Sequence, residues 1–155
     1  KQLADRLSAE QLREVVMVLM GTGALAPAQS QAIVKQQRAA CHRLNVALVQ
    51  RALQGGGLEH MVSPVTGGGV VANRFEKLFL AARASGKQTP GECAAWVWNV
   101  LLVNNERLVQ AGKPLTTADE HLSLLTEWAT TFADARLDLL QALGVSLEEA
   151  TPAKR

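Results

Sequence analysis

The chain has 155 residues, 48% of them apolar and 19% charged, with a formal net charge of +2. That length fits a single domain burying roughly two-thirds of its unfolded surface without a disulfide or metal, and the composition excludes disorder. A charge so near zero gives no general pull toward nucleic acid. Two cysteines, Cys41 and Cys93, exclude a disulfide framework, so a reducing, cytoplasmic setting is expected.

Punctuation by caps and glycines divides the chain. Ser8 opens a capping box with Gln11; Leu12, Val15, Val16 and Leu19 follow at helical spacing, with Gly21 and Gly23 as the stop. The run from Val15 to Met20 is too short for a membrane span and is expected to be a buried helix face. No secretory leader is evident, and the chain opens at Lys1 inside a helical pattern, as a piece of a longer protein would. Pro27 to Ser30 favours a new helical start, and the pattern of Ile33, Leu44 and Leu48 runs to Leu53 before Gly55-Gly56-Gly57.

Around residues 58–72 the pattern changes. Two short extended pieces flank Ser63-Pro64-Val65-Thr66-Gly67-Gly68-Gly69, which reads as a small β-hairpin. Three more helices follow. Asn73 with Glu76 caps one that ends at Gly86. Thr89, Pro90 and Glu92 open another, expected to carry Trp96, Val100, Val103 and Leu108 as far as Gly112. Thr117 with Glu120 opens the last, expected to run unbroken to Gly144. The expected fold is therefore mainly α: about five helices with one hairpin near residues 58–72, a winged-helix-like arrangement being one variant. Residues 1–147 are expected to form one helical domain, and the polar residues 148–155, with Pro152, a flexible tail.

No arrangement announces catalysis. Thr66 to Gly69 would offer backbone N–H groups to a phosphate, but the segment lacks the spacing of a phosphate-binding loop, and glycine also serves tight turns. Asp134 and Asp138 are one helical turn apart without a third metal ligand at a matching step. Cys41-His42 has no second ligand pair for zinc. Cys93 sits near a helix start among small apolar neighbours and reads as a buried residue rather than a nucleophile. No acid occurs between Val15 and Leu58, while Lys35, Arg38, His42, Arg43 and Arg51 do; Lys35, Arg38 and His42 share one helix face. A basic helix followed by a hairpin also describes a nucleic-acid-binding winged helix, although four charges on a long helix equally describe a solvated face. Trp96 and Trp98 point in different directions, one toward the core and the other toward an interface.

The segment Ser63-Pro-Val-Thr-Gly-Gly-Gly-Val70 followed by Asn73-Arg-Phe-Glu-x-Leu-Phe-Leu80 resembles part of the methyltransferase regulatory-domain family. These are multidomain bacterial proteins related to protein-lysine methyltransferases. The likeness continues through Thr89-Pro90, the Trp-rich helix, Gly112-Lys113-Pro114-Leu115 and the helix ending Leu139-Leu140-x-Ala142-Leu143-Gly144, and spans about residues 58–144. It implies a C-terminal, non-catalytic domain whose parent carries S-adenosylmethionine in a separate catalytic domain, with no cofactor in this chain. It assigns no catalytic residue, cofactor-binding residue or metal ligand. Ser63, Pro64, Gly67, Gly68 and Gly69 become a structural family turn. The expected partner is the catalytic domain of the same polypeptide or a protein substrate, with a homodimer as one assembly. No membrane partner is expected, and a nucleic acid bound through Lys35–Arg43 is the alternative. Lys35, Arg38, His42, Arg43 and Trp98 are the candidate interaction surface.

Overall fold

Four reciprocal capping boxes start four of the helices, each built from residues only three positions apart: Ser8 with Gln11, Asn73 with Glu76, Thr89 with Glu92, and Thr117 with Glu120. In each, the cap side chain accepts the free N–H of the third helical residue while that residue's side chain reaches back. A computed structural model describes residues 8–22, 24–145 and 147. Gly23 and the tail expected at 148–155 lie outside the described residues.

The order is α1 (Ala9–Gly21), α2 (Gln31–Leu53), β1 (His60–Ser63), β2 (Gly68–Val71), α3 (Arg74–Ala84), α4 (Pro90–Val103), β3 (Val109–Gln110), β4 (Lys113–Pro114), α5 (Ala118–Phe132), a π-helical turn (Ala133–Leu137) and α6 (Asp138–Ala142). The fold is mainly helical with two small antiparallel strand pairs, β1 with β2 and β3 with β4. Counting α5, the π turn and α6 as one interrupted rod gives five helices among the described residues. The core lies where α3, α4 and α5 meet, joined by the C-terminal half of α2 and by Met61 of β1. Within α3 every residue from Lys77 to Ala82 is buried.

Three expectations need correction. The helix expected to reach Gly112 ends at Val103. Asn105 takes a left-handed conformation (φ 55°) and the Glu106 N–H turns back to the Leu101 carbonyl, the geometry of a helix C-terminus. Ala111 and Gly112, both at positive φ, then close a two-residue hairpin. The last helix is not unbroken, because the π turn inserts one extra residue per turn. The third concerns Val15 to Met20. No residue of α1 is buried, and Met17 is 67% exposed, because none of the core elements presents a surface that covers it.

The end of α2 is closed by side chains from elsewhere in the chain. Arg74 Nε donates to the Ala52 carbonyl at 2.8 Å, Asn104 Nδ2 to the Leu53 carbonyl at 2.6 Å, and Arg74 holds Glu106 with both terminal nitrogens. These satisfy carbonyls that a helix terminus leaves without intrahelical partners.

Two of the boxes also make stability depend on acid pH. The Glu120 carboxyl is drawn down to about 2, first by the Thr117 backbone N–H and then by that of Thr116. Glu92 is lowered chiefly by the Thr89 N–H. Both lie below the ordinary 4.5, so the unfolded chain binds more protons as pH falls. The Glu120 stabilisation is complete above about pH 4.5 and is lost toward pH 2, and the Glu92 contribution is likewise lost as pH falls below 4.5. Urea midpoints should fall across that window, and Glu120→Gln should flatten the fall. An unchanged acid limb in the variant would show that this box does not contribute.

Candidate interaction surface

The segment Ser63–Gly69 is a structural hub. Ser63 is fully buried. Its Oγ donates to the Leu143 carbonyl at 2.6 Å and accepts the N–H groups of Val65 and Thr66 at 3.1 Å each, so its hydrogen-bonding capacity is used. The Gly67 N–H goes to the Ser63 carbonyl and the Gly68 N–H to Thr66 Oγ1. The backbone donors from Val65 to Gly68 are therefore spent inside the turn, and none is presented to a phosphate.

Glycine is required at one position of the triplet. Gly67 has φ +70°, and a Cβ there would fall 2.7 Å from Gln29 Nε2. Gly68 and Gly69 are strand residues without that constraint. A second close approach seals the hub, since a Cβ on Gly144 would fall 2.9 Å from Pro64 Cγ. The chain leading into α2 is bound here too, through the Gln29 N–H and the Val65 carbonyl at 2.7 Å.

Three polar side chains hold the hairpin from outside it. Asn45 of α2, fully buried, donates to the Val62 carbonyl at 2.8 Å and accepts the Val62 N–H at 2.7 Å. It satisfies the outer edge of β1 as a neighbouring strand would. Lys77 of α3, 1% exposed, donates to the Ala72 carbonyl at 2.7 Å and to the Leu58 carbonyl, both at the open end of the hairpin. Burial pushes its pKa down, with Glu76 and Glu59 opposing the change. Arg136, in the π turn, donates to the Val71 carbonyl and to Glu76, each at 2.7 Å.

Sequence reading did not select these three residues. Asn45 carried a signal, a polar residue on the helix stripe of Val49 and Ala52. Lys77 and Arg136 carried none, because the groups they reach are brought to them only by the tertiary fold.

Lys35, Arg38 and Arg43 lie exposed on α2, and His42 is half-buried on the same helix. Trp98 does not join them. It is half-buried on α4 and packs on the ring of His121 of α5, centroids 4.2 Å apart. His121 is fully buried, its Nδ1 2.7 Å from the Thr117 carbonyl. Cys93 is buried and its thiol pKa is raised by desolvation, so it is held as the thiol. Asp134 and Asp138 are exposed, and among the described residues no cluster of three or more His, Cys, Asp or Glu is placed to hold a metal ion. No described helix is long and apolar enough to cross a membrane.

Among the described residues, the longest run of exposed large apolar side chains is on α1. Leu12, Val15, Val16, Met17, Val18, Leu19 and Met20 are all exposed, and Leu25 and Ile33 continue the exposure into α2. Contiguous apolar surface of this extent is uncommon on a helix facing water.

Against known proteins, the chain is 29% identical over 140 residues to an uncharacterized protein of Synechocystis sp., a match covering 90% of this chain and 27% of the relative. The chain thus spans about a quarter of the length of the curated relative it matches. No protein-family model matches it, and no solved structure does.

Proposed function

We propose that this chain is a non-catalytic accessory domain of an S-adenosylmethionine-dependent methyltransferase and acts by contact with the catalytic domain of its own polypeptide. The observation that carries the contact is α1, a thirteen-residue helix with no buried residue and seven exposed large apolar side chains. Each is worth about 1.5–3 kcal/mol when fully buried, an amount that a helix surface in water forgoes. The methyltransferase assignment rests on the resemblance of Ser63–Leu80, and a relative roughly four times the matched length leaves room for a catalytic domain.

Two measurements test this reading. The isolated chain should show no methyl transfer and no cofactor binding by calorimetry; turnover or tight cofactor binding overturns the non-catalytic part. In the whole polypeptide, Val16→Glu with Leu19→Glu should weaken the protection of the catalytic domain against proteolysis. The same pair in the isolated chain should leave the melting temperature within about 2 °C, as surface substitutions do. A large loss of stability in the isolated chain would place α1 on its own core and remove the docking role.

A second reading, nucleic-acid binding, is favoured by the exposed Lys35, Arg38 and Arg43 on α2. It requires affinity for mixed duplex DNA that falls steeply with salt and is lost in Lys35→Ala with Arg38→Ala. Absence of such binding removes it.

A further inference from the structure

All three phenylalanines of the chain, Phe75, Phe79 and Phe132, and one of its three tryptophans, Trp128, line a single open cavity of about 290 Å³ between α3 and the α5–π rod. Phe75 meets Trp128 edge to face at 4.8 Å, and Phe79 meets Phe132 at 5.6 Å, so the half-buried Phe75 and Trp128 form a wall above a floor of the buried Phe79 and Phe132. The volume equals about ten water molecules and lies at the lower end of small-molecule sites, which are mostly apolar with a few convergent polar groups.

The polar groups sit on one side. Glu76 accepts one hydrogen bond at each oxygen: Oε1 takes Arg136 Nε and Oε2 takes the Asn73 N–H. Arg136 spends Nε on Glu76 and Nη2 on the Val71 carbonyl, so its side chain is held from two directions, while Nη1 donates to no acceptor among the described residues. The guanidinium therefore offers this side of the cavity one charged donor, beside the Glu76 carboxylate. The π turn places it there, since removing the inserted residue would rotate Arg136 about 100° around the helix, and π insertions recur at functional sites.

We propose that this cavity binds a small aromatic carboxylic acid, its ring against Phe75 and Trp128 and its carboxylate on Arg136 Nη1. The site is independent of α1 and of the docking reading.

Phenylacetate and indole-3-acetate are suitable probes, with phenylacetamide as the uncharged control. Saturable binding by calorimetry is expected for the acids, and the amide should bind about tenfold more weakly, the worth of one charge-assisted hydrogen bond. Thr131 lines the cavity and is exposed, bonding only to the Glu127 carbonyl of its own helix. Thr131→Phe should therefore fill the space, abolish binding and leave the fold intact. Arg136→Lys keeps a cation beside Glu76 but removes the fork, and should erase the preference for acid over amide. Binding that survives Thr131→Phe, an amide that binds as well as the acid, or no saturation with any probe overturns the proposal.

Discussion

Asn45→Leu is expected to lower the unfolding free energy by about 2–4 kcal/mol, read from urea midpoints at neutral pH. The leucine fills similar space on the buried face of α2 but offers nothing to Val62. Both polar groups of the Val62 backbone, now 2.7–2.8 Å from the Asn45 amide, would face a dry helix. Each buried group left unmet costs about 1–3 kcal/mol. Asn45→Asp separates the two bonds. Its carboxylate still accepts the Val62 N–H but repels the Val62 carbonyl and is buried as a charge. Acidification should therefore recover part of the loss relative to the native chain, because the protonated carboxyl can donate again. A leucine variant as stable as the native protein would mean that the hairpin does not depend on α2.

Lys77→Ala is expected to cost about 3 kcal/mol or more, through the lost stem and two carbonyls left without donors. Lys77→Met is the informative companion. It keeps most of the stem, removes both hydrogen bonds and also removes a charge that is costly to bury, so its cost should be the smaller. The two also differ with pH. Desolvation lowers the Lys77 pKa below the ordinary 10.5, against the pull of Glu76 and Glu59. Between the lowered value and 10.5 the unfolded chain holds the extra proton, so this group makes stability rise with pH in that window. Below the window the burial cost is felt in full. The stability difference between native protein and Lys77→Met should therefore shift in favour of the native protein as pH climbs toward 10.5. A difference that stays constant would show that the ammonium is not desolvated in the fold.

Both variants act on one object, the β1–β2 hairpin. Ser63, Asn45, Lys77 and Arg136 reach it from its own turn, α2, α3 and the π turn. This gives the Ser63–Gly69 segment a physical role that involves no ligand. It joins the last turn of the rod, at Leu143 and Gly144, to the chain entering α2 at Gln29. A domain acting by contact needs such rigidity, because an exposed helix such as α1 is useful only on a scaffold that keeps its shape.

By itself the sequence determined the helix starts and most of the stops. Capping boxes and glycine stops are made between residues three or four apart, and such bonds form wherever the backbone turns into a helix. The hairpin at 60–71 was legible for the same local reason. Tertiary structure decided the rest. Asn104-Asn105 ended α4 early because Asn105 could enter the left-handed region while Arg74 and Leu53 engaged its neighbours Glu106 and Asn104. The π turn places Arg136 on Glu76, 60 residues earlier, and Ser63 found its acceptor 80 residues away. Helical periodicity showed that Val15 to Met20 was apolar. Whether such a face is covered depends on which other surfaces the chain brings against it, and these core elements close upon one another without reaching α1.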